Sequence, residues 1–149
     1  MHKLAIGKRQ EFVIWARLLK EEIDVYPTLV DDKGIDGIVA FNGKNYEVQI
    51  KSGKNWNNQR GLGVETLSVN PNRIYIIFNY TKDEIRYFTA KQILNEPEWA
   101  ESTKWKIPQI KLPKVLLDKY RDHDWDGLVR YLKKQKKQKK PNKASKRTK

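Results

Sequence analysis

The stretch GIDGIVAFNGKNYEVQIKSG, residues 34–53, decides the fold, because Asn42-Gly43 separates two alternating segments. An Asn-Gly pair favours a type I′ turn, in which both central residues adopt positive φ. The flanking segments IDGIVAF and NYEVQIKS are therefore predicted to form a β-hairpin. A two-residue turn would place Asp36 opposite Gln49, whereas a four-residue loop would place Asp36 opposite Lys51.

In either register Asp36, Gln49 and Lys51 share one corner of one face of the hairpin, and Glu47 lies further along that face. The other face of the second strand carries Tyr46, Val48 and Ile50, which supply the core packing. A row of polar side chains on a strand is often only a solvated face. A functional cluster at this corner is the alternative interpretation.

Outward from the hairpin, the pattern predicts a mixed α/β fold. Apolar residues at three- and four-residue steps predict an amphipathic helix from Ile6 to about Ile23, with the stripe Phe12, Trp15, Ala16, Leu19 and Ile23. The apolar run at residues 73–80 predicts a central strand covered on both faces. After this helix, residues 24–34 are predicted to form a short extended piece that leads to a turn at 31–34. The remaining predictions are a short strand or helix near 64–69, a strand at 85–89, a short helix from 89, a connection at 96–113 that is interrupted by Trp and Pro, and two helices within 113–132.

Most of the net charge of +13 is concentrated in the tail that starts at Lys133. The last 17 residues carry 10 of the 31 basic side chains and no acid, so residues 1–132 carry a net charge of only +3. We expect one domain over 1–132 and a disordered basic tail over 133–149. Such a tail would bind polyanions, with nucleic acid the leading partner, although a merely solubilising end has the same composition.

Several classes of protein do not fit this sequence. With no Cys, and with His2 and His123 as its only histidines, the chain lacks the usual ligands of a zinc site. No segment approaches the length of a membrane span or has the pattern of a secretory signal. We therefore expect an intracellular, cytoplasmic protein without a membrane partner.

The residue types at the corner of the hairpin favour chemistry on phosphates. Gly34 and Gly37 flank Asp36 and suit close approach of the backbone to a ligand, although a tight turn explains one of them equally well. Asp36 and Gln49 offer the hard oxygen atoms that Mg²⁺ prefers, and Lys51 adds an ammonium group two residues further on. Together with the basic tail, this combination indicates phosphodiester hydrolysis.

The order Glu11, Asp36, Gln49-Ile50-Lys51 resembles the PD-(D/E)XK nuclease superfamily, and GIDGIVAF with YEVQIKS resembles its Mrr-type branch, in which Gln replaces the second acid. The resemblance covers residues 7–52 and implies a restriction-endonuclease-like core. It implies that Asp36 is the main metal carboxylate and that Glu11 positions water. It further implies that Gln49 and the Ile50 carbonyl bind Mg²⁺, with Mn²⁺ as a substitute.

By the same resemblance, Lys51 orients the attacking water and stabilises charge on the phosphate. Gln49 departs from the usual acid, so Glu47 or Glu11 would compensate for the missing charge, with Glu47 secondary. The resemblance also extends to intron-encoded homing endonucleases, which implies a site-specific double-strand cutter acting as a homotetramer. Restriction, Holliday junction resolution, an inactive relative and a nucleic-acid-binding module are the alternatives.

Contacts with double-stranded DNA are predicted for the polar loop that follows the second strand of the hairpin, since amide and guanidinium groups can read base edges. The loop residues with this predicted role are Lys54, Asn55, Asn57, Asn58, Gln59 and Arg60. Arg73 and Arg86 are further candidates for phosphate contacts. Cutting two strands requires two active sites, so we expect a dimer or tetramer, for which Trp99, Trp105 and Trp125 are candidate interface residues.

Overall fold

Helices stand at both ends of the described chain, and strands lie between them. The computed structural model describes residues 3–28, 34–55, 62–96, 100–102, 109–111 and 114–134. The helices are α1 Lys3–Lys20, α2 Val64–Val69, α3 Ala90–Asn95, α4 Lys114–Lys119 and α5 Trp125–Lys133. The strands are β1 Asp24–Pro27, β2 Gly37–Phe41, β3 Lys44–Gly53, β4 Leu62–Gly63, β5 Ile74–Asn79, β6 Glu84–Thr89, β7 Ala100–Ser102 and β8 Gln109–Lys111.

The main sheet has five strands in the order β1-β2-β3-β5-β6. Strands β3 and β5 run parallel, and every other neighbouring pair is antiparallel. The predicted N-terminal helix, mixed sheet and C-terminal helices are thereby confirmed. A second sheet, β4-β8-β7, occupies part of the segment that was predicted to be a connection, so that prediction was wrong for β7 and β8. The basic tail beyond residue 134 lies outside the described residues.

The hairpin forms in the first of the two predicted registers. Asn42 and Gly43 have φ values of 49° and 76°, as a type I′ turn requires. Ile38 pairs with Glu47 and Gly37 with Val48, where the ladder ends, and the Asp36 N–H also points to Val48, donating to its carbonyl at 2.8 Å. A shift by two residues would have brought Lys51 opposite Asp36, so the turn determines which polar groups meet.

The two faces of the main sheet are packed differently. On the first face, side chains of all the strands pack with α1 and α5 into one core that includes Val48, Ile50, Ile76 and Trp125. On the second face, the described core cluster draws its sheet residues from β5 and β6, which pack against α2, α3 and α4. Among the described residues, the core of the second face therefore covers the β5–β6 half of the sheet and does not extend over the β1–β3 half.

Helix α1 buries a different stripe from the one that the sequence predicted. Ile14, Trp15 and Leu18 are buried, whereas Phe12 is 57% exposed and Leu19 is 54% exposed. The predicted stripe was right at Trp15 and at Ile23, which is buried just beyond the end of α1, and wrong at Phe12, Ala16 and Leu19. Both stripes have the three- and four-residue spacing of a helix, so their spacing could not distinguish them.

Trp125, which the sequence analysis named as a candidate interface residue, belongs to the core. It is 8% exposed, and its ring meets Phe78 edge-on with centroids 5.9 Å apart. Its indole N–H donates to the Asp83 carbonyl at 3.1 Å. The Arg17 guanidinium lies 4.2 Å from the ring centroid and also forms an ion pair with Asp83 at 2.7 Å. This clasp joins α1, the β5–β6 turn and α5. The other two tryptophans proposed for the interface, Trp99 and Trp105, lie outside the described residues.

Candidate active site

Asp36 is a buried acid at the point where β2 begins. It is 6% exposed and lies one residue before the strand. Its N–H donates to the Val48 carbonyl at 2.8 Å, and its carbonyl accepts from the Thr28 N–H at 2.9 Å. The backbone of Asp36 is thus held on both sides, by β3 and by the residue that follows β1.

The side chain of Asp36 is joined directly to the Gln49-Ile50-Lys51 segment. Its Oδ2 accepts a hydrogen bond from the buried Ile50 N–H at 2.6 Å. If β2 extended further towards its N-terminus, a main-chain carbonyl would accept this hydrogen bond. Here the Asp36 carboxylate oxygen accepts it instead. Because a carboxylate has about four lone-pair positions, this bond does not use up its capacity to accept.

Gln49 and Lys51 lie on the second face, as the sequence predicted. Gln49 pairs with Tyr75 and Lys51 with Ile77 of β5, both members of the second-face core. Ile50, between them, points into the first-face core and is 7% exposed. Since the N–H and C=O of one strand residue point to the same neighbour, the Ile50 carbonyl faces the side where Asp36 lies.

Glu11 is on α1, which packs against the first face. Its carboxylate accepts from the Lys8 ammonium at 2.9 Å, and its side chain is 15% exposed. One turn further along α1, Trp15 packs against Gly37, whose added Cβ would lie 2.8 Å from the Trp15 ring. Glu11 therefore lies on the same side of α1 as the residue that contacts the start of β2.

The close approach at Gly37 involves a protein side chain. The sequence offered this glycine as a place where backbone approaches a ligand, and in the structure Trp15 occupies that space. Gly34 has a φ of 68°, so its role is the left-handed backbone of the turn that leads into Asp36.

Glu47 and Arg73 have structural roles that differ from those predicted. The Arg73 guanidinium is 3% exposed and binds Glu47 Oε2 through Nε at 3.0 Å and a terminal nitrogen at 2.9 Å. Burial by itself would lower the pKa of Arg73, but Tyr75 and Glu47 outweigh it and the pKa is raised. Arg73 is thus too deeply buried to contact phosphate, and the ion pair engages the acid that was proposed as a secondary metal ligand.

Tyr75 shares this buried corner, and its hydroxyl group lies next to the Arg73 guanidinium. Burial raises the pKa of Tyr75, while the neighbouring guanidinium acts in the opposite direction.

Arg86 is fixed to the backbone and still borders open space. Its Nε donates to the Leu117 carbonyl at 2.9 Å, and a terminal nitrogen donates to the Ile85 carbonyl at 2.7 Å. The residue also lines a cavity together with Asn55. The predicted DNA-reading loop is described only at Lys54 and Asn55, and Lys54 is exposed. The loop residues outside the described part of the chain are Asn57, Asn58, Gln59 and Arg60.

The donor set at the corner suits a hard cation, although its carboxylates are few. Among the described residues, no group of three or more His, Cys, Asp or Glu side chains could hold a metal ion. The candidate ligands are instead the Asp36 carboxylate, the Gln49 amide oxygen and the Ile50 carbonyl, all of them oxygen atoms of the kind that Mg²⁺ accepts. Such a set leaves most of the coordination sphere to water and substrate.

Sequence reasoning did not find the cavity that Arg86 lines, because its residues come from segments far apart in the chain. The helices of the described chain include none that is long and apolar enough to cross a membrane.

Comparison with known proteins adds little to the structure. No model of a protein family matches the chain, and no curated protein matches it. Among solved structures, a nuclease from a fusellovirus is similar over 78% of this chain and 87% of that chain, with 18% identity and a TM-score of 0.49. A likeness this distant carries no argument about this chain.

Proposed function

We propose that this protein is a Mg²⁺-dependent endonuclease that hydrolyses phosphodiester bonds in double-stranded DNA. The observation that carries the proposal is the bond between Asp36 Oδ2 and the Ile50 N–H. It makes the acid and the Gln49-Ile50-Lys51 segment one unit, so a carboxylate, an amide, a carbonyl and an ammonium group face the same corner. A merely solvated strand face does not require a buried aspartate at its edge.

Each group at the corner has a distinct chemical role. Asp36, Gln49 and the Ile50 carbonyl would hold Mg²⁺, or Mn²⁺ as a substitute, with Glu11 supporting bound water from the helix side. When bound, the ion polarises the phosphate and lowers the pKa of water. Lys51 would orient the attacking water and offset the negative charge that grows on the phosphate oxygens. The second-face position of Lys51, between Asp36 and β5, supports this role.

Site-specific homing is the form of this activity that we propose first, with an Mrr-like restriction role and Holliday junction resolution behind it. The Asp36 and Gln49-Ile50-Lys51 pattern supports this order, since junction resolvases usually keep an acid at the position of Gln49. Cutting both strands requires an even number of active sites, so we propose a homodimer or homotetramer. Analytical ultracentrifugation with and without duplex DNA tests the assembly, and a monomer in both conditions would contradict it.

The decisive experiment compares wild type with Lys51→Ala on supercoiled DNA and on long random-sequence duplexes, with Mg²⁺, Mn²⁺ or EDTA. We expect wild type to give discrete metal-dependent fragments. Lys51→Ala should bind DNA normally but cut at least about a hundred-fold more slowly, because it lacks the charge that stabilises the transition state. Lys91→Ala is the matched control, since Lys91 is an exposed lysine on α3.

The same experiment distinguishes an enzyme from a nucleic-acid-binding module. A binding module would show no metal-dependent fragments with wild type, and Lys51→Ala would leave binding unchanged. Cutting that persists at wild-type rate in Lys51→Ala would contradict the role of Lys51. Equal losses in Lys51→Ala and Lys91→Ala would point to a general effect of charge.

A further inference from the structure

A cavity of about 480 Å³ opens where the strands of the main sheet end. Asn79, the last residue of β5, and Asn55, just after β3, line one part of it. Ligand sites in proteins commonly measure 300–1,000 Å³, so the cavity has room for a group the size of a nucleotide. Nothing in the roles of Asp36, Gln49 and Lys51 accounts for it.

The lining of the cavity is polar and carries an excess of positive charge. Lys82, Arg86, Lys114 and Arg121 contribute four positive charges, against two negative charges from acids on β6 and α4. These cations come from the β5–β6 turn, from β6, from α4 and from the residues after α4. The fold thus gathers them from four places in the chain.

Three of these cations are available for a ligand. Lys82, Lys114 and Arg121 are exposed, and none of them takes part in the ion pairs between described residues. Arg86 is different, because the Leu117 and Ile85 carbonyls fix its guanidinium in place. The site therefore combines one preorganised donor with three adaptable ones, an arrangement suited to an oxyanion.

The wall of the cavity is also firmly built. Asn79 is 2% exposed, and its side-chain oxygen lies 2.9 Å from the Thr81 hydroxyl. The same hydroxyl donates to the Lys54 carbonyl at 2.6 Å. The end of β5 is thereby joined to the residue that follows β3, so the start of the predicted DNA-reading loop is anchored at the rim.

The register of the sheet relates this cavity to the candidate active site. Lys51 pairs with Ile77, and Ile77 pairs with Arg86, so the three residues form one row across β3, β5 and β6 on the second face. Neighbouring strands lie about 4.8 Å apart, so the backbones at Lys51 and Arg86 are roughly 10 Å apart. A polyanion lying across the second face would meet both.

We propose that the cavity binds a backbone phosphate of the same DNA whose phosphodiester bond is cut beside Lys51. This inference rests on the proposed function for the identity of the strand being cut. Arg86 provides a fixed donor to a phosphate oxygen, and Lys82, Lys114 and Arg121 close around the phosphate. The acids Glu84 and Asp118 oppose this binding and limit its strength.

The test measures binding without cutting, as the salt dependence of affinity for a labelled duplex in EDTA. The cavity variant is Lys82→Gln/Lys114→Gln/Arg121→Gln in the full chain. Its matched control is Lys20→Gln/Lys91→Gln/Arg130→Gln, which removes the same charge from exposed positions on α1, α3 and α5. Circular dichroism and thermal unfolding establish that both variants are folded.

We expect the cavity variant to lower the slope of log affinity against log salt by about 1 or more, since each phosphate contact contributes about 0.9. The control should leave the slope close to that of wild type. Asp118→Asn should change affinity in the opposite direction and tighten binding. Equal slope changes in the cavity and control variants would overturn the proposal.

The result also separates this inference from the proposed function. A slope change confined to the cavity variant, in a protein that never cuts DNA with Mg²⁺, supports the phosphate site and contradicts the nuclease. Metal-dependent cutting without that slope change supports the nuclease and contradicts the phosphate site.

Discussion

Asp36 has two roles that substitution can separate. Its carboxylate caps the buried Ile50 N–H, a structural role that any acceptor in the same position can fill. Its negative charge, in contrast, is what the proposed metal requires. Asn keeps an oxygen acceptor of the same shape and removes the charge, whereas Ala removes both.

We therefore expect Asp36→Asn to remain nearly as stable as wild type and to lose DNA cleavage. Asp36→Ala should lose cleavage and also about 1–3 kcal/mol of unfolding free energy, because the Ile50 N–H loses its partner. Urea unfolding and the cleavage assay measure the two effects. Full cleavage by Asp36→Asn would show that the carboxylate serves only the fold.

The packing of α1 against β2 requires glycine at position 37, because a side chain there would collide with the Trp15 ring. An added Cβ would lie 2.8 Å from the Trp15 ring and 3.2 Å from the Tyr26 carbonyl. We expect Gly37→Ala to lower the unfolding free energy by about 1–3 kcal/mol, as overpacked cores do. Urea unfolding is the measurement.

Gly7→Ala is the natural control, because a Cβ at Gly7 would meet nothing within 4 Å. Gly7 lies inside α1, so alanine there should raise the unfolding free energy by about 0.5–1 kcal/mol. Equal destabilisation by the two alanines would show that the contact with Trp15 is unimportant.

The Glu47–Arg73 ion pair joins β3 to the residue before β5, so it links two neighbouring strands of the main sheet. Glu47→Ala removes two charged hydrogen bonds from a guanidinium that is 3% exposed. We expect a loss of about 1.5–3 kcal/mol in unfolding free energy. Cleavage measured well below the melting temperature should be unchanged, and its loss would restore Glu47 as a candidate metal ligand.

The strands and helices differed in how far sequence could predict them. The hairpin was predictable to within two registers, because Asn42-Gly43 indicates a turn but the pairing in the structure is what excludes a four-residue loop. The buried stripe of α1 could not be predicted, because apolar residues occupy every position from Phe12 to Trp15 and several faces of the helix have the expected spacing. The strands β7 and β8 pair with each other and were missed because each has only three residues, and the other partner of β8, β4, is far away in sequence.

The residues of the candidate site also differ in how far the sequence could predict their positions and contacts. The second-face position of Gln49 and Lys51 was predictable, because strand alternation puts residues two apart on the same face. The partners of Arg73 and Arg86 were not, since a charged residue in a sequence does not reveal whether it pairs with Glu47, with a backbone carbonyl or with solvent.

For the whole molecule, buried tyrosines set the alkaline limit of stability. Burial is the main cause that raises the pKa of Tyr75, Tyr87 and Tyr131. The unfolded chain loses these protons near pH 10, while the folded chain retains them at higher pH. Because the folded state then binds more protons, the unfolding free energy must fall as pH rises above about 10.

We expect urea unfolding at pH 9, 10 and 11 to show this decrease. Tyr131→Phe should show a smaller decrease than wild type, because one of the three hydroxyl groups is gone. An identical decline in both proteins would assign the effect to other groups.

The first and last described helices complete a single core, and this has a consequence for synthesis. Ile14 and Leu18 of α1 pack in the same cluster as Leu128 and Leu132 of α5, and the Arg17–Asp83–Trp125 clasp binds the two ends together. A nascent chain cannot finish this core until residues near 132 have left the ribosome tunnel. Until then the apolar first face of the sheet lacks the cover that α5 provides, so chaperones would meet its exposed part first.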